Sequence, residues 1–211
     1  MKEFTCEEIK EVVFQLMNEK CLNCKVFVAG GILPWIISSN DSNRKHSDID
    51  IVVAKENMPL IRAYLKNKGL YNIKYDSIHL DFNTDYADFG IEAFINDIPV
   101  NFAPFEYQGN DIIQKNFSVA ELSGLDALVQ VTMKGIKVDD YVTFMNLANG
   151  LCIGMYTLEM VKSAKEISNR DKDIYDLKEI EKIGFDAARY NRVKPVVQNM
   201  SIDFIPGNPV E

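Results

Sequence analysis

No stretch of this chain is long and apolar enough to cross a bilayer. Residues 1–10 are already charged and helical in pattern, not a basic start followed by an apolar run and a small-residue cleavage site. The expectation is therefore a soluble, cytoplasmic protein without a membrane partner. Cations are in short supply: 23 Lys and Arg stand against 31 Asp and Glu, a formal net charge of −8. Affinity for nucleic acid comes from clustered Lys and Arg, so gripping nucleic acid is disfavoured as the main task, although a local basic patch stays open. Cysteine is sparse, at four residues. Cys21 and Cys24 have CxxC spacing, but no second pair follows and no strand precedes them, so all four read as structural thiols in a reducing compartment. Neither of the two histidines, His46 and His79, sits in a sequence arrangement of carboxylate and nucleophile partners that would suggest hydrolysis.

What is present is concentrated between residues 26 and 53. Val26 to Ala29 is a short apolar run rich in β-branched and aromatic residues, and it ends in Gly30 and Gly31. Such a run reads as a buried strand that turns tightly into a helix. Glycines there let backbone amides approach an anion, as in a phosphate cradle. After a polar loop comes Arg44-Lys45-His46-Ser47-Asp48-Ile49-Asp50-Ile51-Val52-Val53. Side chains two apart on a strand share a face, so Asp48 and Asp50 project together while the isoleucines face the core. Two carboxylates in one small volume repel each other unless a cation lies between them. Oxygen ligands of this kind suit Mg²⁺, which typically takes one or two carboxylates plus substrate phosphates.

The double glycine and the later Asp-x-Asp strand resemble the signature of the nucleotidyltransferase superfamily that includes DNA polymerase β. The approach Arg44 to Asp50 looks closest to the aminoglycoside and lincosamide nucleotidyltransferases. One departure is a longer loop, Ser38 to Asn43, whose composition marks an insertion. The resemblance implies transfer of a nucleoside monophosphate from a Mg²⁺-bound nucleoside triphosphate to a hydroxyl of a small, antibiotic-like acceptor, with release of pyrophosphate. It implies Asp48 and Asp50 as metal ligands, with Gly30, Gly31, His46 and Ser47 around the phosphates. A second string, Arg170-Asp171-Lys172-Asp173-Ile174-Tyr175-Asp176-Leu177, resembles a segment of the antibiotic-modifying and toxin groups. It makes Lys162, Lys165 and Arg170 candidates for the triphosphate. The bare residues also fit a solvated helix laced with ion pairs, such as Lys172 with Asp176 four apart.

The resemblance places Asn101 where a third catalytic carboxylate is expected. An amide cannot take a proton at ordinary pH. A rescuing acid could come from Asp88, Glu92 or Glu106, or one metal and solvent could suffice. Two other readings stay beside the first: a toxin-type enzyme acting on transfer RNA or protein, and a catalytically impaired nucleotide-binding regulator.

The remaining pattern suggests an α+β fold, a small mixed β-sheet with helices over residues 1–117, then a C-terminal helical subdomain over 118–192 and an extended tail over 193–211. Helices are expected at Glu3–Glu19 and Met58–Lys68, the latter with Pro59 in its first turn and Gly69 past its end. Strands are expected at Tyr71–His79, Phe89–Ile95 and Ile98–Phe105, the last two forming a hairpin across Asn96-Asp97. Further helices are expected at Leu122–Met133, Asp139–Ala148, Met155–Ser168 and Lys172–Ile183.

Overall fold

The structure is a computed structural model that describes residues 2–41, 43–79, 88–118, 127–147 and 150–206. Its first helix, α1 (Cys6–Asn18), begins at a reciprocal cap: Thr5 accepts from the Glu8 backbone while Glu8 reaches back to Thr5. Ile9, Val12, Val13 and Leu16 form its buried face. Strand β1 (Val26–Val28) runs into a 3₁₀ turn at Gly30–Ile32 and the short helix α2 (Leu33–Ser38). Strand β2 (Ile49–Ala54) leads to α3 (Met58–Asn67), which carries its proline at the start and Gly69 just beyond its end at φ 71°.

Strands β3 (Ile91–Ile95) and β4 (Ile98–Gln108) form the expected hairpin, with Asn96 and Asp97 both at positive φ. β5 (Asp111–Ser118) follows. The central sheet is mixed: β1 pairs antiparallel with β2, and β2 pairs parallel with β4. β4 is long enough to serve two neighbours in turn, β3 along its first half and β5 along its second. The expected class, a mixed sheet with helices, is the observed one.

Several elements differ from the sequence expectation. Tyr71–His79 holds two 3₁₀ turns, Ile73–Tyr75 and Ser77–His79, with a single bridge from Asp76 to Ile91 of β3 between them, and buried Asp76 ties the segment to Arg62 at 2.8 Å. Leu122 to Asp126 lies outside the described residues, but Ala127–Lys134 is a strand, β6, paired with β5 over its whole length. Its β-branched Val129, Val131 and Thr132 favour a pleated surface over a helix. The helix expected from Asp139 is one turn, α4 (Val138–Tyr141), followed by strand β7 (Val142–Asn146). β7 pairs with β8 (Cys152–Tyr156), which in turn lies parallel to β1. The helix expected from Met155 starts only at Leu158, as α5 (Leu158–Ser168) capped by Thr157. α6 (Asp171–Ile183) matches its expected span within a residue.

Over residues 193–206 the chain lies in elements: α7 (Ala187–Gln198) continues through Pro195, and β9 (Ser201–Pro206) pairs antiparallel with β6. Pro195 in a helix interior costs roughly 3 kcal/mol, offset here by burial of Val193 and Val197. The C-terminal part thus supplies helices α5–α7 and also strands to the same sheet, in the order β7-β8-β1-β2-β4-β5-β6-β9.

Each face of the sheet has its own core. Ile49, Ile51, Val53, Val100 and Phe102 pack with α1 and α3 on one side. Val52, Ala103, Phe105, Tyr141, Met160 and Val193 pack on the other, beneath α4, α5 and α7. Asp50 and Asn101 alternate with the first set and so belong to the second face.

Candidate active site

A cavity of about 660 Å³ opens on that second face, between the end of β1, the start of β2 and helix α5. Gly30 and Gly31 form one wall. The Ala29 amide donates to the Asp50 carbonyl at 2.9 Å, which pins the glycine turn to β2. Gly30 has φ 72°, and a Cβ there would lie 2.5 Å from Asp50 Oδ2. Only glycine fits, for conformation and for space alike. A Cβ on Gly31 would strike the Arg44 guanidinium and crowd Asp176 at 2.8 Å.

Asp48 and Asp50 share the cavity, as their two-residue spacing requires. Ser47 Oγ donates to Asp48 at 2.8 Å. Asp50 is accessible from the cavity yet densely walled by protein, and that burial, with the Asp48 charge second, raises its carboxyl to about 7. Lys165, Lys172 and Arg170 oppose the rise. Asn101 sits beside Asp50 in the β2–β4 register. Its Oδ1 is buried with no hydrogen-bond partner among the described residues. The oxygen donors that could hold a hard cation here are two carboxylates and a neighbouring amide oxygen. Among the described residues no group of three or more His, Cys, Asp or Glu side chains could hold a metal. Two carboxylates suit Mg²⁺ when substrate phosphates complete its shell.

His46 also lines the cavity. Its backbone forms a two-way bridge with Phe4, at 2.8 and 2.9 Å, so it anchors the loop before Asp48. Burial, and after it the charges of Arg44, Lys165 and Lys172, bring its imidazole down to about 3. It is therefore neutral at physiological pH. His79 is exposed and away from the cavity.

The basic side comes from α5 and α6. Lys165 lines the cavity, held by Asp173 at 2.6 Å and Asp176 at 3.1 Å. Arg170 lines it too, paired with Asp173 at 2.8 Å. Asp173 is buried, which alone would raise it, but Arg170, Lys165 and Ser168 hold it well below the usual carboxylate range. Lys162 does not reach the cavity. It pairs with Glu166 and Glu181, both at 2.8 Å, and lies over the Phe185 and Tyr190 rings. Lys165 follows three residues later on α5, but these partners hold Lys162 toward α6 and α7.

Sequence reasoning missed two features. Lys172 lines the cavity and no described ion pair holds it, so the Lys172–Asp176 pairing expected from spacing is absent. Burial and the nearby charges of Arg170, Arg44 and Lys165 lower its ammonium, the mark of a cation short of anions. Asp176 is instead fully buried and joins the glycine turn to α6. It accepts from Arg44, Lys165 and, at 3.0 Å, Trp35 Nε1, while Arg44 also donates to the Gly31 carbonyl at 3.0 Å. Trp35 is core, not a stacking platform. The opposite wall holds Glu92, Gln114 and Asn116 from β3 and β5, with Tyr156 of β8 at the end of β1.

No protein-family model matches the chain, and no curated protein matches it in sequence. Solved structures do match in fold. The solution structure of the antibiotic-resistance factor ANT(2'')-Ia superposes with a TM-score of 0.54 at 13% identity, covering 90% of this chain and 92% of that one. ANT(2")-Ia in complex with adenylyl-2"-tobramycin gives 0.52 at 13% identity, over 90% and 95%. The lincosamide antibiotic adenylyltransferase LnuA, lincomycin-bound, gives 0.50 at 13% identity, over 87% and 100%. The likeness is one of fold: the chain has the nucleotidyltransferase fold expected from its glycine turn and Asp-x-Asp strand.

Proposed function

We propose that this protein transfers a nucleoside monophosphate from a Mg²⁺-bound nucleoside triphosphate to a hydroxyl of a small molecule and releases pyrophosphate. The observation that carries the reading is the convergence of Asp48, Asp50, the Gly30-Gly31 turn and the cations Lys165, Arg170 and Lys172 on one cavity. Asp48 and Asp50 would hold the cation, which supplies charge neutralisation at the phosphates when bound. Asp50, raised by burial and by Asp48, is a carboxyl that a cation would return to its ionised form.

Gly30, Gly31 and Ser47 would face the triphosphate, with His46 holding their loop. Lys165, Arg170 and Lys172 would surround the charge that spreads over the transferring phosphoryl group, where positioning and electrostatics provide nearly all of the catalysis. Lys162 is dropped from this set because its partners turn it away. The acceptor would lie along the wall of β3 and β5. Tobramycin and lincomycin, named with the fold neighbours, are rational first probes, although fold alone is a weak guide to substrate.

One observation favours a second reading, a nucleotide-binding protein without turnover: Asn101 beside Asp50. The test separates the two. ATP, GTP, CTP and UTP are titrated by calorimetry with and without Mg²⁺, and pyrophosphate release is followed with each probe acceptor. Cation-dependent binding that is lost in Asp48→Ala, together with pyrophosphate release, supports the enzyme. Binding without release supports the silent reading, and no binding of any nucleotide sinks both.

A further inference from the structure

We infer that Glu92 is the general base of the proposed transfer, doing from β3 what Asn101 on β4 cannot. The inference rests on the nucleotidyl-transfer reading and deepens it. Three residues stand abreast across three strands. Asp50 is in register with Asn101 through the parallel β2–β4 ladder, and Asn101 is in register with Glu92 through the antiparallel β3–β4 ladder. Residues directly opposite in a sheet put their side chains on the same face, and all three line the cavity. Neighbouring strands lie about 4.8 Å apart, so Glu92 stands two strand spacings from Asp50, with Asn101 between them.

That place matches the work of a base. The glycine turn and the cations of α5 and α6 occupy one side of the two aspartates, which leaves the β3–β5 wall for the acceptor. A base has to stand on the acceptor side, within hydrogen-bond reach of the hydroxyl it deprotonates. Glu92 is the one carboxylate on that wall among the described residues. It is 8% exposed, so its carboxyl belongs to the cavity and not to bulk solvent. Its side chain is one methylene longer than an aspartate, which offsets part of the extra strand spacing.

The other two candidate acids stand outside the cavity. Asp88 clasps Arg62 at 2.7 and 2.8 Å, and Glu106 pairs with Lys55 at 2.8 Å and Lys115 at 3.5 Å. Asn101 keeps a distinct part: its buried, unpartnered Oδ1 can accept the acceptor's second donor or lean on the cation. In the step itself, the acceptor O–H proton passes to the Glu92 carboxylate. The freed oxygen forms a bond to the α-phosphorus, and the bond from that phosphorus to the bridging oxygen breaks. Its electron pair leaves with pyrophosphate.

The test compares the wild-type chain with Glu92→Gln, Glu92→Asp, Asn101→Asp and the Glu92→Gln/Asn101→Asp double variant. Each is first checked for cooperative melting and for Mg²⁺-dependent binding of the four nucleoside triphosphates. Pyrophosphate release is then measured with tobramycin, lincomycin and water alone as acceptors. General-base assistance is worth about two to four powers of ten. Glu92→Gln should lose that much turnover while nucleotide affinity stays within about two-fold of wild type. Asn101→Asp should restore turnover in the double variant, a rescue that a merely structural role for Glu92 would not give. Glu92→Asp, which keeps the carboxylate, should lose less than Glu92→Gln and serves if the amide variant fails to fold. Unchanged turnover in Glu92→Gln overturns the assignment. So does nucleotide binding by the wild type with no release from any acceptor, whether or not Asn101→Asp is active. Absence of nucleotide binding by the wild type is a different failure, that of the nucleotidyl-transfer reading itself.

Discussion

Asp176 shows how one residue can decide whether a cavity exists. Fully buried, it takes charge from Arg44 and Lys165 and a hydrogen bond from the Trp35 indole, so the glycine turn, the loop before Asp48 and helix α6 meet on one carboxylate. Removing one partner of a buried ion pair leaves an uncompensated charge and costs roughly 3–5 kcal/mol. Asp176→Asn is therefore expected to lower stability by that order in urea denaturation. Gly31→Ala should destabilise by the same route, because its new methyl group would enter the space of the Arg44 guanidinium. Gly30→Ala collides with Asp50 itself and should abolish nucleotide binding even where the fold survives. The sequence disclosed both glycines and both aspartates, since a tight turn and a two-residue spacing are local facts. It did not disclose Asp176, because the partners of a buried carboxylate lie 132 and 141 positions away in the chain.

Helices α5 and α6 divide their cations between structure and cavity by the direction each side chain takes. Lys162 is engaged with Glu166, Glu181 and two aromatic rings, whereas Lys172 faces the cavity with no described ion pair. Lys172→Ala is expected to weaken triphosphate binding about ten-fold or more while leaving the melting temperature nearly unchanged, consistent with one lost charge-assisted contact of roughly 1.5–3 kcal/mol. Lys162→Ala should do the reverse. The same layer carries a pH dependence. Burial alone would raise Glu166, but Lys162, Tyr190 and Lys194 hold its carboxyl at about 2, against an ordinary 4.5. A depressed carboxyl stabilises the fold above its unfolded value, and the contribution fades as the pH falls from about 4.5 through about 2. Acid unfolding of Glu166→Gln should accordingly show a shallower loss of stability across that window than the wild type. Periodicity alone misassigned elements here. Ala127–Lys134 and Val142–Asn146 are strands whose β-branched residues favour a pleated surface, while their apolar spacing also fits a helix.

In the whole molecule, the cavity depends on parts of the chain that are far apart in sequence. β8 lies beside β1, α5 and α6 supply the cationic wall, and β9 closes the sheet against β6. A chain ending at residue 117 would lack all of these and the Asp176 carboxylate that pairs with Arg44, so it is expected to show no cooperative melt by circular dichroism. The mixed sheet and the β3–β4 hairpin were legible from strand patterns and the Asn96-Asp97 turn. The return of the C-terminal strands to the same sheet was not, because pairing across a long sequence separation leaves no local periodic trace. The central claim is that Asp48 and Asp50, beside the paired glycines, form a cation-dependent seat for a nucleoside triphosphate. Its most direct test is a crystal structure of the wild-type protein grown with Mg²⁺ and a non-hydrolysable nucleoside triphosphate. The account predicts a cation bound by both aspartates, with the triphosphate running from it along Gly30, Gly31 and Ser47 toward Lys172. A nucleotide bound elsewhere, or seated in the cavity with neither aspartate on a metal, would contradict it.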